Sequence, residues 1–244
     1  MENAVYAAAS GMSTWSRTLD ITANNLANAN TPGFKSQRIA IGTFGEHVTS
    51  RIGGSESGEI GSTTRGSAPQ DIYSSSKDGT IVQSGKSTDL AIVGKGYFAI
   101  EQDGEIRLSR DGGFSVNADG YLVNSAGSRV LGEQGAINVG DGQFKVSENG
   151  TVTTADGTAG KLRIVVPQDE AAAQRLGDGT YSYNGTEEAF TGSVAQGMME
   201  ISNVEIVDEM TSMMEASRAF QSCSQILKIL DSVNQRMVTE IGKV

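Results

Sequence analysis

A chain of 244 residues that is 37% hydrophobic and 6% aromatic, with 31 glycines, holds too little apolar mass for one large core but enough for a modest β domain plus helices. Its formal net charge of −10 has the wrong sign for nucleic acid or an anionic membrane, and its single cysteine, Cys223, excludes an intrachain disulfide. No apolar run approaches the ~18 residues of a membrane span, and Met1-Glu2-Asn3-Ala4 lacks the basic and hydrophobic regions of a secretory signal, so direct membrane insertion is not expected and export would need another route.

The first expected element is a helix from about Asn3 to about Asn28, stopped by Pro32 and Gly33. Its apolar positions follow a 3-4-3-4 rhythm through Val5, Ala8, Met12, Trp15, Leu19, Thr22 and Leu26. A repeat of 3.5 residues keeps one narrow stripe facing a partner helix. Near its end, Asn24, Asn25, Asn28 and Asn30 carry amides able to satisfy the last carbonyls or to bond another chain.

Residues 36–85 read as an extended linker, with Gly, Ser and Thr dominating from 45 onward. From 86 to 201 the texture changes to short β-branched runs such as Leu90–Val93, Tyr97–Ile100 and Leu162–Val166. Nine Asp-Gly or Asn-Gly pairs fall between 78 and 185, and these dipeptides accept the positive φ of tight hairpins. Ile100–Ile106, Val116–Leu122 and Val146–Val152 share one pattern: an apolar residue enters, a two-residue turn follows, an apolar residue leaves. The segment predicts a meander of short antiparallel strands.

A second helix is expected from 203 to about 242, opened by an S-x-x-E capping box at Ser202 and Glu205. Asp208 and Glu209 lie early and Lys228, Arg236 and Lys243 late, as the helix dipole favours. The heptad rhythm returns through Met213, Ala216, Phe220, Cys223, Leu227, Leu230, Asn234, Met237 and Ile241. Asn234 is a polar residue on an apolar seam, the kind that fixes register or partner number. Cys223 on that seam reads as a small hydrophobe.

No catalytic or metal-binding set assembles from this sequence, so no enzyme, cofactor or metal is expected. The sole histidine, His47, lies in the polar linker. Gly94-Lys-Gly96 is half a dinucleotide fingerprint, and a strand follows where a helix is required. The segment from Ser115 has Ala126 where a calcium loop needs its twelfth-position Glu. Asn149-Gly-Thr and Asn184-Gly-Thr match glycosylation sequons, a motif that arises often by chance.

The block Ala23-Asn-Asn-Leu-Ala-Asn-Ala-Asn-Thr-Pro-Gly-Phe-Lys35 resembles the N-terminal signature of the flagellar rod and hook (axial) protein family. Tyr6–Met12, Ser202–Glu205, Glu209-Met210 and Arg218–Phe220 fit it too. Ser87–Phe98 and Ser109–Phe114 resemble the β domain of its rod members. The length and the Met1–Tyr6 start look most like proximal rod members, with distal rod members close behind.

The resemblance implies an α+β chain. Residues 1–35 and 202–244 would pair as a helical coiled-coil assembly domain, with a mainly antiparallel β domain at 86–201. It implies a structural subunit of the basal-body rod that self-assembles helically beside neighbouring rod subunits. It also implies an extracytoplasmic location reached through the flagellar type III export apparatus. The expected assembly interface is the two heptad stripes together with Asn24, Asn25 and Asn28. A cell-wall enzyme and a coiled-coil adhesin are the readings from other classes; the scattered carboxylates and the missing signal peptide count against them.

Overall fold

The computed structural model describes residues 2–50, 59–75, 77–140, 143–155, 157–169 and 172–241. The chain forms two compact units. Unit 1 comprises Met1–Ala27, Gln37–Ser74 and Glu205–Val244; unit 2 comprises Asn28–Ser36 and Ser75–Val204.

In unit 1, helix α1 spans Glu2–Ala27 and helix α2 spans Ile206–Ile241. At ~1.5 Å per residue they are about 39 and 54 Å long. They pack against each other. Gly11 marks a close approach: a Cβ there would lie 3.2 Å from Cys223 Sγ. The residues most buried along the helices are small or polar, among them Ala8, Thr14, Thr22 and Ala216. Small side chains let helix backbones come near one another, and the threonine hydroxyls are satisfied by carbonyls one turn back.

Residues 36–85 differ from the linker expected there. Strand β1 (Gln37–Ser50) and strand β2 (Glu59–Ser74) form a long antiparallel ladder. Residues 51–58 of that segment lie outside the described residues. Apolar alternation is confined to Ile39 and Ile41, so backbone pairing carries most of this ladder. Pro69 sits beside the register shift between Ile39 and Ile41, where a missing N–H is tolerated. The ladder packs on α1, with Thr14 Oγ1 3.3 Å from Ser67 Oγ.

Unit 2 is a nest of short strands. Strand β3 (Ile81–Gln83) pairs with residues 198–200, and strand β4 (Leu90–Val93) with residues 193–196. Strand β5 (Tyr97–Gln102) pairs with strand β6 (Glu105–Ser109) and with residues 129–130 and 164–165. Alternation along β5 sends Phe98 and Ile100 into the main core with Leu90, Ile92, Leu122 and Val130. Ala99 goes to a second cluster with Leu108, Val165 and Tyr181. Phe98 and Phe114 meet edge to face, centroids 5.1 Å apart.

Several expectations change. The turn at Asp103-Gly104 is the two-residue hairpin predicted, with positive φ at both positions and Gln102 opposite Glu105. The links at 117–121 and 147–151 are longer. Their strands pair at Val116/Leu122 and Val146/Val152, and the glycine takes positive φ at the fourth loop position. An asparagine or serine carbonyl accepts the glycine N–H in each. The predicted Asp141-Gly142 pair lies outside the described residues. Helix α2 starts at Ile206 with Glu205 as its N-cap, because Glu209 N–H bonds the Glu205 carbonyl. Ser202 is therefore not the cap; its hydroxyl accepts a bond from Val204 N–H in unit 2. Residues 28–35, expected with the helices, belong to the β unit.

Candidate assembly site

The heptad stripe of α2 lies on one side of the helix. Ala216 is buried, and Met213, Phe220, Cys223, Leu227, Leu230 and Met237 are half-buried in the single chain. Asn234 is exposed, and the Ile241 side chain lies outside the described set. On α1, Ala8 is buried, Met12, Trp15, Leu19 and Leu26 are half-buried, and Val5 is 37% exposed. These stripes thus remain partly open to water.

A second apolar strip runs along α2, outside the heptad stripe. Ile226, Ile229 and Val233 are exposed, Ile229 by 60%, and they follow the same 3-4 spacing one residue before the seam positions. Nearer the start of α2, Val207, Met210 and Met214 are exposed as well. The signal was present as Ile-Leu-Lys-Ile-Leu, where two adjacent heptad frames are both apolar. Such contiguous exposed apolar surface marks an interaction face.

The asparagines divide. Asn25 is 1% exposed and its amide is used within unit 1: it donates to the Gln37 carbonyl at 2.8 Å and accepts from Gln37 N–H at 2.9 Å. It ties the end of α1 to the start of β1, which corrects its assignment to an intermolecular surface. Asn24 is exposed. Asn28 is half-buried and accepts the Thr31 hydroxyl at 3.2 Å in the turn that follows α1.

The Pro-Gly-Phe-Lys stretch has a different role, wholly inside unit 2. Gly33 has φ +65°, and a Cβ there would lie 2.5 Å from the Arg110 carbonyl carbon, so only glycine fits. Lys35 Nζ lies 3.2 Å from Glu200 and 3.0 Å from Asp78, and donates to the Lys77 carbonyl at 2.9 Å. Arg110 Nε meets Glu200 at 2.5 Å, and its other nitrogens reach the Gly96, Gly94 and Ile92 carbonyls. The Lys35, Arg110 and Glu200 side chains are each under 7% exposed. Two cations facing two carboxylates, each hydrogen-bonded, satisfy one another where a lone buried charge would be costly. Arg175 lies 4.3 Å over the Phe34 ring and donates to the Lys35 carbonyl.

Two carboxylates have displaced pKa values. Burial pushes Asp111 up, opposed by its hydrogen bond from Gly113 N–H and reinforced by the Asp89 charge. At Asp178 burial pushes upward, but the hydrogen bonds from Thr180 and Gln102 outweigh it and the net direction is down. Asp178 also pairs with Arg107 at 3.3 Å. Among the described residues no group of three His, Cys, Asp or Glu is placed to hold a metal ion. No described helix is long and apolar enough to cross a membrane.

Three family models match this chain. "Flagella basal body rod protein" covers residues 5–35, "Flagellar hook protein FlgE/F/G D1 domain" covers 91–141, and "Flagellar basal body rod FlgEFG protein C-terminal" covers 195–240. The chain is 32% identical to the flagellar basal-body rod protein FlgF of Caulobacter vibrioides, over 100% of both chains. The chain belongs to the flagellar basal-body rod family. It is also 32% identical to FlgG of Bacillus subtilis over 98% of both chains, and 28% identical to the hook-basal body complex protein FlhO of that organism over 100% of both.

In this rod-family chain the three matched segments have separate physical tasks. Residues 5–35 supply α1, the Asn25 tie and the Lys35 cation. Residues 91–141 supply the centre of the β core and Arg110. Residues 195–240 supply Glu200 and the apolar faces of α2.

Proposed function

We propose that this chain is a structural, non-catalytic subunit of the flagellar rod, of the proximal (FlgF) type, that polymerises helically into a shaft transmitting motor torque. The observation that carries the reading is the heptad apolar stripe of each helix, left half-buried in a chain that aligns along its whole length with rod proteins. Each such Leu or Met stabilises by ~1.5–3 kcal/mol when fully removed from water. In the assembled shaft, copies and neighbouring rod subunits cover the stripes formed by Val5, Met12, Trp15, Leu19 and Leu26 and by Met213, Phe220, Leu227, Leu230 and Met237. The helices then interlock as coiled coils that resist sliding and so pass torque. Asn234, exposed on its seam, selects register. Subunits reach the periplasmic part of the basal body through the flagellar type III apparatus.

The equal identity to a FlgG protein favours a second reading, a distal rod subunit. Electron microscopy of basal bodies from a clean deletion separates the two. Rods ending at the inner part of the shaft establish the proximal assignment. An inner rod lacking only its outer section moves it to the distal rod. Intact rods and hooks contradict both.

A further inference from the structure

Three segments far apart in sequence meet at the Lys35–Asp78–Glu200–Arg110 cluster of unit 2. They are residues 33–36, 77–80 and 200–203, the stretches adjoining the points where the chain leaves unit 2 after Ser36, returns at Ser75 and leaves again after Val204. We propose that this cluster is a lock holding three of the four chain ends of unit 2, those at Ser36, Ser75 and Val204, in one fixed arrangement. Force carried along the chain then enters the β unit at the lock rather than at its sheet edges. The mechanical half rests on the rod reading; the lock itself rests on geometry alone.

Glu200 is the hub. Its Oε1 takes Lys35 Nζ at 3.2 Å and Gly79 N–H at 2.8 Å, its Oε2 takes Arg110 Nε at 2.5 Å, and its carbonyl takes Gly33 N–H at 2.8 Å. Asn203 adds a second stitch across the same segments, accepting from Ser36 N–H and donating to the Lys77 carbonyl, both at 2.7 Å. Ser75 N–H bonds the Ser36 carbonyl, joining the leaving and returning chain segments. Residues 28–36 lie in no strand, so sheet pairing cannot hold them.

The chemistry suits a lock better than an apolar contact would. A guanidinium offers its donors in a rigid planar fork, and this one is engaged by a carboxylate and by three carbonyls of the 92–96 turn. Apolar side chains can slide past one another; this fork has one seating. The cluster is also all-or-none, because loss of either cation leaves a buried carboxylate short of its charge. Asp78, 54% exposed, is the one member facing water.

The test is amide exchange on the full-length protein and on Glu200→Gln, which keeps the shape of the hub and removes its charge. The lock predicts that the Gly33, Ser36, Gly79 and Ile201 amides exchange about tenfold faster or more while those of Ala99, Ile137 and Val194 stay within about twofold. Arg110→Lys should give the same pattern, since one ammonium cannot span the carboxylate and the turn carbonyls together. Asp78→Asn should act on 77–80 alone. Unchanged exchange, a uniform rise across the sheet, or loss of the whole fold in Glu200→Gln would each overturn the lock. In cells, Glu200→Gln should build rods yet lose swimming as medium viscosity rises. Parity with the parent at every viscosity would overturn the mechanical half. Intact rods in a deletion strain would instead overturn the rod reading, leaving the exchange result untouched.

Discussion

The β core of unit 2 and the helices of unit 1 treat apolar side chains in opposite ways. Every large apolar side chain under 2% exposed among the described residues, from Phe98 and Leu90 to Val165, lies in unit 2. The unit 1 side chains buried as deeply are the small Ala216 and the polar Asn25 and Thr14, the last two hydrogen-bonded. Meanwhile Met210, Met214, Ile226, Ile229 and Val233 stand open on α2. Unit 2 completes its own interior. Unit 1 uses buried polar groups in internal ties and leaves large apolar side chains of α2 exposed.

Substitutions should separate the two regions sharply. The largest effect falls in the β core: Phe98→Ala should cost about 4 kcal/mol, seen as a lowered urea midpoint, because Phe114 and the β5 neighbours cannot close the void. A cost under about 1 kcal/mol would mean that this core is loosely packed. Next is Gly33→Ala, where positive φ and the Arg110 backbone combine for about 3 kcal/mol. Asn25→Ala should cost about 2 kcal/mol by orphaning the Gln37 N–H and carbonyl, with the loss of exchange protection confined to unit 1.

The smallest effect concerns pH. Asp111 has a raised pKa from burial, so its ionisation weighs against the folded state. That loss accrues as pH rises from the ordinary aspartate value through the raised one, and is complete above it. Asp111→Asn should therefore raise the melting temperature by about 1–2 °C at pH 7, the difference shrinking on acidification. A difference that grows toward acid would have the wrong sign.

Much of this was legible from residue order alone. The two helices announced themselves by heptad spacing and by Pro32-Gly33, and the antiparallel β region by its Asp-Gly turns, whereas the expected meander gives way to long-range pairings such as β4 with 193–196. The β1–β2 ladder did not announce itself, because its apolar alternation is confined to Ile39 and Ile41 and the Gly, Ser and Thr beyond them read as loop. The ionic cluster was hidden for another reason. Lys35, Asp78, Arg110 and Glu200 are spread over more than half the chain, and each alone reads as a solvated charge. The internal tie of Asn25 to Gln37 was not legible, because an amide at a helix end does not reveal which backbone it will bond. The Ile226–Ile229–Val233 strip was overlooked because one heptad frame masked its neighbour.

The central claim is that the helix stripes build the shaft while the β unit stands alone. It is tested most directly by basal bodies from cells whose sole copy carries Leu227→Asp with Leu230→Asp, imaged beside the purified variant. The account predicts no completed rod, together with a β unit that keeps its aromatic circular dichroism and its cooperative unfolding. Full-length rods and normal swimming, or a β unit that unfolds with the helices, would contradict it.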